Sequence, residues 1–437
     1  MRNNLVVGIL PESKNEWERR TSLTPKDVSW LVKRKIPVEV ASSPLRIYKD
    51  SQYKRSGAKI VTKFQKANLL IGIKEPPTDT LIHDSVYMVF SHTTNGQEYN
   101  RNLLTAFLKK KITLIDYEHI TGSLGQRLVH FGRYAGICGM IDTLHVFGQK
   151  AKLQGVPNPF SDLKSAVQHG SYVSARKALD QTADKIRSKG FDKNITPFVI
   201  GILGHGNVSQ GAQEVLEHLG AVDIHPRDVK HLTRSLTSHK KTIYKLLFQR
   251  EEKLKAKKGN NFYFEEYLKH PDRFESNMGK HLPLLNIIVN ASYWDKRYPR
   301  LISETMLRKL YRTRPDFRLS VIGDLSCDIK GTIEITKRTT SSSEPAFIYD
   351  PVSRKISNDL SDSGIAVMAI DNLPCEFPKE SSIEFAGQVR DFVYQIAAHG
   401  ITDVTNHHAL PDVIRNAVVT QNGRLTQQFK YLKMNRS

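Results

Sequence analysis

The sequence predicts an α/β protein of two Rossmann-like domains, each with a doubly wound parallel sheet, with a cleft between them. Short apolar runs alternate with helical patterns along the chain, and the run 198–203 leads through closely spaced glycines into a helix. The 437 residues suffice for two or three domains. We expect a substrate and catalytic domain over 1–133 and 371–437. The dinucleotide-binding domain would cover 134–370, with a helical insertion near 230–280.

The amino-terminal elements follow the order that a parallel sheet requires. Predicted strands cover 1–10, 38–40, 69–73, 85–90 and 112–115. Thr24 followed by Pro25 predicts an N-cap and the first residue of a helix. Further helices are predicted at 48–56, 100–109, 132–153 and 173–187.

Three titratable residues follow consecutive predicted strands: Lys74, His92 and Glu118. Ligands of open parallel sheets bind beyond the carboxyl ends of the strands. One polar residue after a strand is usually ordinary loop chemistry, but three at one edge favour a site.

The glycine turn predicts a dinucleotide site. Gly204 allows a tight turn, and Gly206 lets a pyrophosphate approach the backbone. The helix beginning near Asn207 and Val208 would offer unpaired N–H groups to that anion. Ser209 replaces the usual third glycine and is still small. The alternative is an ordinary strand-to-helix turn, since the motif depends on its context.

The choice of cofactor depends on the residues after the next predicted strand, 221–224. Arg227 could bind a 2′-phosphate with its guanidinium, which favours NADP, although a solvated loop arginine has the same sequence signal. Asp223 and Asp228 keep NAD open. Later predicted strands cover 284–290, 319–324 and 365–370, and a helix covers 381–398.

The composition excludes several classes of protein. The net charge of +21 suits either nucleic acid or a polyanionic cofactor and substrate. Because no nucleic-acid motif accompanies it, we expect no nucleic-acid partner. No run reaches the roughly 18–20 apolar residues of a membrane span. Cys138, Cys327 and Cys375 are too far apart for a metal motif or a disulfide framework, which fits a reducing compartment.

Several segments resemble motifs of a known family, and together they cover most of the chain. They are 18–25, 72–77, 90–93, 114–118, 131–136, 204–212, 323–328, 363–365, 370–374 and 413–419. They are similar to the lysine–2-oxoglutarate reductases of the alanine dehydrogenase and transhydrogenase superfamily. The likeness includes the reductase half of the bifunctional α-aminoadipic semialdehyde synthases. We therefore expect a stand-alone reductase or the reductase domain of such an enzyme.

The resemblance implies that L-lysine and 2-oxoglutarate are condensed and reduced to saccharopine with NADPH, while NAD stays open. It implies that Lys74 and His92 form the acid–base pair and that Glu118 tunes their charge. Both types of side chain suit proton transfer.

The resemblance also implies a set of substrate ligands. Arg20 and Arg127 would bind substrate carboxylates, for which a guanidinium fork is suited. Asp324 would lie near the nicotinamide or the amino end of lysine.

The resemblance implies a mitochondrial location, although no presequence is visible and a cytoplasmic one stays open. It also allows a saccharopine dehydrogenase domain or protein as a partner, and assembly of the chain into a homo-oligomer. The competing hypotheses are another amino-acid dehydrogenase of the superfamily and a basic binding or scaffold protein with a retired site.

Overall fold

The computed structural model describes residues 5–94, 100–232, 239–258, 262–400, 403–405 and 410–432. It divides into two compact units, one formed by 1–131 with 378–437 and the other by 132–377. The chain thus returns to the first unit at 378, later than the expected 371. Residues 1–4 of the first predicted strand lie outside the described residues.

The strands, in chain order, are β1 Val7–Ile9, β2 Val38–Ala41, β3 Lys59–Val61, β4 Leu69–Ile71, β5 Val86–Val89, β6 Thr113–Asp116, β7 Phe198–Leu203, β8 Val222–Asp223, β9 Ile243–Phe248, β10 Leu254–Ala256, β11 Phe274–Ser276, β12 Ile287–Asn290, β13 Val321–Asp324, β14 Ala346–Tyr349, β15 Ile356–Ser357, β16 Ile365–Met368, β17 Val418–Gln421 and β18 Arg424–Leu425.

The helices are α1 Pro25–Lys33, α2 Asp50–Arg55, α3 Arg101–Lys109, α4 Gly132–Leu153, α5 Ala166–His169, α6 Tyr172–Lys189, α7 Asn207–His218, α8 Val229–Leu232, α9 Arg250–Lys253, α10 Phe264–Lys269, α11 Glu304–Thr313, α12 Pro378–His399 and α13 Asp412–Arg415. Among the described residues, none of these helices has the length and apolar content needed to cross a bilayer.

The sheet of the first unit has the strand order β18-β17-β6-β5-β4-β1-β2-β3. The strands from β6 to β3 are parallel, while β17 runs antiparallel to β6. Apolar side chains cover both faces, with α1 and α12 on one side and α3 on the other. The predicted cap of α1 is present, because Thr24 and Asp27 form a reciprocal capping box.

The sheet of the second unit has the order β15-β14-β16-β13-β12-β7-β9-β8. The strands from β16 to β8 are parallel. Alternate residues of β7 point to opposite cores: Phe198, Ile200 and Ile202 lie on the side of α4 and α7, and Val199 and Leu203 on the other side. This confirms the predicted fold class of two Rossmann-like sheets with helices on both faces.

The helical insertion expected near 230–280 is only partly helical, since it contains α9 and α10 but also three strands. This segment contains β9, which pairs with the whole length of β7, and the antiparallel pair β10 and β11. Four of the six residues of 243–248 are buried, and the strand lies between β7 and β8 in the sheet. The parts of the prediction at 233–238 and 259–261 lie outside the described residues.

Glycines bring α4 and α7 into contact along their backbones. A Cβ on Gly136 would lie 1.9 Å from the carbonyl oxygen of Val208, and one on Gly211 would lie 1.9 Å from that of Arg133. Neither position therefore accepts a larger residue without separating the helices. This packing fixes the amino-terminal turn of α7, where the glycine turn ends.

Candidate active site

In the first unit, the carboxyl ends of β4, β5 and β6 lie side by side, about 4.8 Å apart from strand to strand. Lys74, His92 and Glu118 follow these three ends. The strand pairing thus brings to one edge the three positions that the sequence predicts to meet.

Lys74 follows the end of β4, where its backbone is held by Glu12 from the end of β1. The amides of Ile73 and Lys74 donate to Oε1 and Oε2 of Glu12 at 2.7 and 3.0 Å. Burial, and then the positive charges of Arg20 and Lys14, lower the pKa of Lys74. A larger share of Lys74 is therefore the neutral amine, which can accept a proton.

Glu12 is itself buried beside a second carboxylate. Burial, followed by the charge of Glu18, raises its pKa from 4.5 to about 7. Glu12 therefore changes protonation near neutral pH, directly beneath the backbone of Lys74.

His92 follows β5 in a left-handed backbone conformation, with a φ of 49°. Its Nδ1 lies 2.5 Å from Oε1 of Glu75, the residue after Lys74. Burial would raise the pKa of Glu75, but the hydrogen bond and charge of His92 outweigh burial and lower it to about 2. The ionised Glu75 therefore fixes the orientation of the imidazole through Nδ1.

Asp116, the last residue of β6, connects the ends of β5 and β6. The amide of Glu118 donates to its Oδ1 at 2.9 Å, and the amide and hydroxyl of Ser91 donate to its Oδ2. Burial raises the pKa of Asp116 to about 6, against the effect of these hydrogen bonds. Asp116 thus holds the backbone at Ser91, directly before His92, and at Glu118.

The Glu118 side chain is 8% exposed, and its Oε1 forms an ion pair with Nη2 of Arg127 at 2.9 Å. The Arg127 side chain is 53% exposed, so it can also reach an anion in solvent. The structure therefore brings these two predicted site residues together.

Arg20 lies in a buried bidentate ion pair with Glu18, with Nε and Nη2 at 2.7 and 2.5 Å from the two carboxylate oxygens. Its guanidinium stacks on the ring of Phe131, 4.2 Å from the centroid. The Arg20 fork is thus already directed at a carboxylate of the protein. The role of Arg20 as a substrate ligand, which the family resemblance implies, stays a prediction.

The sequence alone does not single out four acids of this cluster as site residues: Glu12, Glu18, Glu75 and Asp116. Glu75 adjoins Lys74, and Asp116 ends the strand that precedes Glu118, so the strand-end rule could have found both. Glu12 and Glu18 occupy the loop after β1, where only the fold shows which carboxylates turn inward.

The glycine turn in the second unit has the geometry that a dinucleotide needs. Gly204 has a φ of 115°, and a Cβ there would lie 2.4 Å from the carbonyl oxygen of Ala291. A Cβ on Gly206 would meet nothing within 4 Å, so open space adjoins the start of α7. The residues present therefore fit a bound pyrophosphate group.

The three residues after Gly206 begin α7, with Gly206 as its N-cap. Asn207 and Val208 pack against the glycines of α4, and Ser209 is completely buried. The first-turn amides of Asn207, Val208 and Ser209 are therefore held in place for an anion.

Arg227 follows β8 at the outer edge of the sheet, and its side chain is 77% exposed. Its Nε lies 3.9 Å from Oδ2 of the adjacent Asp228. Asp223, in β8, forms an ion pair with the buried Lys245 of β9 at 3.1 Å. Strand β9 separates these residues from β7, so Arg227 does not follow the strand next to the glycine turn.

Asp324 ends β13 in the second unit. Thr336 Oγ1, Ser326 Oγ and Asn290 Nδ2 donate to its carboxylate at 2.6, 2.8 and 2.9 Å. Burial raises the pKa of Asp324 despite these hydrogen bonds. The network keeps the carboxylate at the carboxyl end of the sheet, two strands from β7.

Family profiles match most of the chain. The alanine dehydrogenase/PNT N-terminal domain profile covers residues 8–138, and the C-terminal domain profile covers residues 166–428. Among solved structures, an L-alanine dehydrogenase superposes with a TM-score of 0.59 at 17% identity, covering 98% of this chain and 99% of that one. A transhydrogenase from Sinorhizobium meliloti gives a TM-score of 0.53 at 14% identity over 96% of this chain and 98% of that one. These two likenesses concern the fold.

Curated relatives are similar over nearly the whole chain. An α-aminoadipic semialdehyde synthase from Arabidopsis thaliana is 33% identical over 98% of this chain and 41% of its own length. The mitochondrial α-aminoadipic semialdehyde synthase of Mus musculus is 31% identical over 98% of this chain and 47% of its own length. An NAD⁺-dependent, L-lysine-forming saccharopine dehydrogenase from Neurospora crassa is 24% identical over 87% of this chain and 88% of its own length. The chain spans less than half the length of the two synthases.

Proposed function

Since the chain belongs to the alanine dehydrogenase/PNT family, we propose that it is a lysine–2-oxoglutarate reductase of lysine degradation that uses NADPH. The observation that carries the proposal is the cluster of Lys74, with its lowered pKa, and the His92–Glu75 pair at one sheet edge. Reductive condensation of an amine with an oxo acid needs such paired proton acceptors and donors.

The proposed reaction consumes L-lysine, 2-oxoglutarate, NADPH and a proton, and yields saccharopine, NADP⁺ and water. The neutral ε-amine of lysine adds to the 2-oxo carbon, and water leaves to give an imine between the two substrates. The glycine turn and the first turn of α7 would hold NADPH, whose chemistry there would be the donation of a hydride to this imine. The protein's own task is to hold the substrates and to move protons.

Lys74 and His92 divide the proton transfers. As a neutral amine, Lys74 can take the proton that the attacking ε-amine loses. His92, held through Nδ1 by Glu75, has Nε2 left to give a proton to the departing oxygen. Glu118 adds negative charge at the neighbouring strand end and positions Arg127.

The arginines supply the binding of carboxylates. Arg127 is half exposed and can bind a substrate carboxylate in addition to Glu118. Arg20 is proposed as a second ligand of a substrate carboxylate, beside its ion pair with Glu18. Asp324 is proposed as the acceptor for the amino end of lysine or as a neighbour of the nicotinamide.

The test follows the absorbance of NADPH at saturating L-lysine and 2-oxoglutarate, with saccharopine identified by mass spectrometry. We expect oxidation that requires both substrates, and slower turnover with NADH. Pyruvate with ammonia replaces the two substrates in a parallel assay. Turnover only in that assay would assign the chain to alanine dehydrogenase chemistry, and turnover in neither would remove the reductase proposal.

We further propose that the chain works in mitochondria beside a saccharopine dehydrogenase domain or protein. Support comes from the mitochondrial name of the mouse relative and from that relative's greater length. Subcellular fractionation with an antibody against the chain tests the location.

A further inference from the structure

The strand beside the glycine turn is β9. It pairs in parallel with all six residues of β7, so that Leu203 lies opposite Phe248. The turn and the end of β9 also touch, because Nε2 of His205 lies 3.2 Å from the carbonyl oxygen of Phe248. The residues after Phe248 therefore emerge next to the proposed pyrophosphate site.

In dinucleotide-binding sheets, the residues that follow the strand next to the glycine turn contact the adenosine ribose. An acid at the end of the strand next to the glycine-turn strand binds the 2′-hydroxyl of NAD, whereas an arginine nearby accommodates the 2′-phosphate of NADP. Here the first two residues after β9 are Gln249 and Arg250. An uncharged residue followed by an arginine suits the phosphate.

The Arg250 guanidinium is exposed and held in place. It stacks on the ring of Phe264, 4.0 Å from the centroid, which leaves its N–H edge for other partners. No carboxylate in the described part of the chain lies within ion-pair distance of it. The nearby Glu252 is already engaged, because its Oε2 accepts from the Gln249 amide at 2.7 Å and its Oε1 lies 3.2 Å from Nε2 of His225.

We infer that Arg250 binds the 2′-phosphate of NADPH and that the end of β9 sets the choice between the two nicotinamide cofactors. Arg227, the residue favoured by the sequence analysis, follows the edge strand β8, one strand further from the turn. The inference rests on the proposed function only in that the chain binds a dinucleotide at the glycine turn.

The test measures equilibrium binding of NADPH and NADH to the whole chain, without substrates, by the fluorescence of the reduced nicotinamide. Removing hydrogen bonds to a charged group in Arg250→Gln should raise the Kd for NADPH by roughly 10- to 100-fold. The Kd for NADH should stay within about threefold, because NADH lacks the phosphate. Arg250→Lys keeps the positive charge but loses the planar guanidinium. Its Kd for NADPH should therefore lie between those of the wild type and of Arg250→Gln.

Arg312→Gln is the matched control, since Arg312 is an exposed arginine on α11 of the same unit. It should leave both Kd values unchanged. Arg227→Gln is measured in parallel. A selective loss of NADPH binding in that variant, or an equal loss of both cofactors in Arg250→Gln, would overturn the inference.

The inference and the proposed function fail separately. If Arg250→Gln selectively weakens NADPH but the wild-type chain does not turn over lysine and 2-oxoglutarate, the inference stands and the reductase proposal fails. If the chain turns over and Arg250→Gln binds NADPH like the wild type, only the inference fails. A wild-type chain that binds neither cofactor overturns both.

Discussion

At the scale of single residues, Lys74 and His92 carry the proposed chemistry. We expect Lys74→Met and His92→Gln each to lower kcat by roughly 100-fold or more, because each removes a group that transfers protons. The control is Lys63→Met, at an exposed lysine of the same unit. Steady-state kinetics with lysine, 2-oxoglutarate and NADPH measure the effect, with thermal melting as the check of folding. Near-wild-type kcat in both variants would exclude them from the mechanism.

Glu12 gives a prediction about the pH dependence of stability. Burial and the charge of Glu18 raise its pKa from 4.5 to about 7, so the folded chain keeps the proton where the unfolded chain has lost it. The folded state of the wild type therefore loses stability as pH rises from about 4.5 to 7. Glutamine does not titrate, so Glu12→Gln cannot show this loss. The free energy of unfolding of the variant, minus that of the wild type, should therefore increase by up to about 3 kcal/mol between pH 4.5 and 7.

Urea unfolding at several pH values measures this difference. Glu16→Gln is the control for the change of charge, because Glu16 is an exposed acid of the same loop. A difference for Glu12→Gln that does not change between pH 4.5 and 7 would contradict the assigned shift.

At the scale of elements, the contact between α4 and α7 holds the glycine turn. Gly136→Ala would place a methyl group 1.9 Å from the carbonyl oxygen of Val208 and 2.7 Å from the amide nitrogen of Ala212. Because backbone atoms cannot yield as side chains do, we expect a loss of about 1–3 kcal/mol or more in the free energy of unfolding.

Gly387→Ala, in the middle of α12, is the matched control. A Cβ there meets nothing within 4 Å, so alanine should be neutral or should stabilise the helix by about 0.5–1 kcal/mol. Chemical denaturation of both variants measures the contrast. Equal stability of the two would show that the helices do not depend on the glycine contact.

Prediction from sequence works best for elements whose signals are local. The cap at Thr24 and Pro25 and the turn at Gly204 are set by neighbouring residues, and both appear in the structure. Strand β9 has a weaker local signal, because Lys245 interrupts its apolar run. The ammonium group of Lys245 nonetheless forms an ion pair with Asp223 and donates a hydrogen bond to Gln213. Only folding brings these two partners to it.

At the scale of the whole molecule, the two units differ in how the chain forms them. The unit 132–377 is continuous and contains its own two apolar cores. The first unit joins 1–131 with 378–437, and its core includes Phe385 and Val389 of α12 and Val418 of β17.

We therefore expect the isolated fragment 132–377 to unfold cooperatively and fragment 1–131 not to do so, because a domain needs its complete apolar core. Joining 378–437 to fragment 1–131 through a flexible linker should restore cooperative unfolding. Circular dichroism during urea titration measures all three fragments. Cooperative unfolding of fragment 1–131 alone would contradict the expectation.

The sequence by itself determined the fold class, the glycine turn and the positions of Lys74, His92 and Glu118 after their strands. These follow from the apolar periodicity and from residue types with strong backbone preferences, which act over a few neighbouring residues. Tertiary structure decided which acids surround Lys74 and which strand borders the glycine turn. Strand order and inward-facing carboxylates depend on pairing between distant segments, such as β9 with β7 and Glu12 with Lys74. Because β9 pairs with β7, we expect Arg250, and not Arg227, to bind the 2′-phosphate of the cofactor.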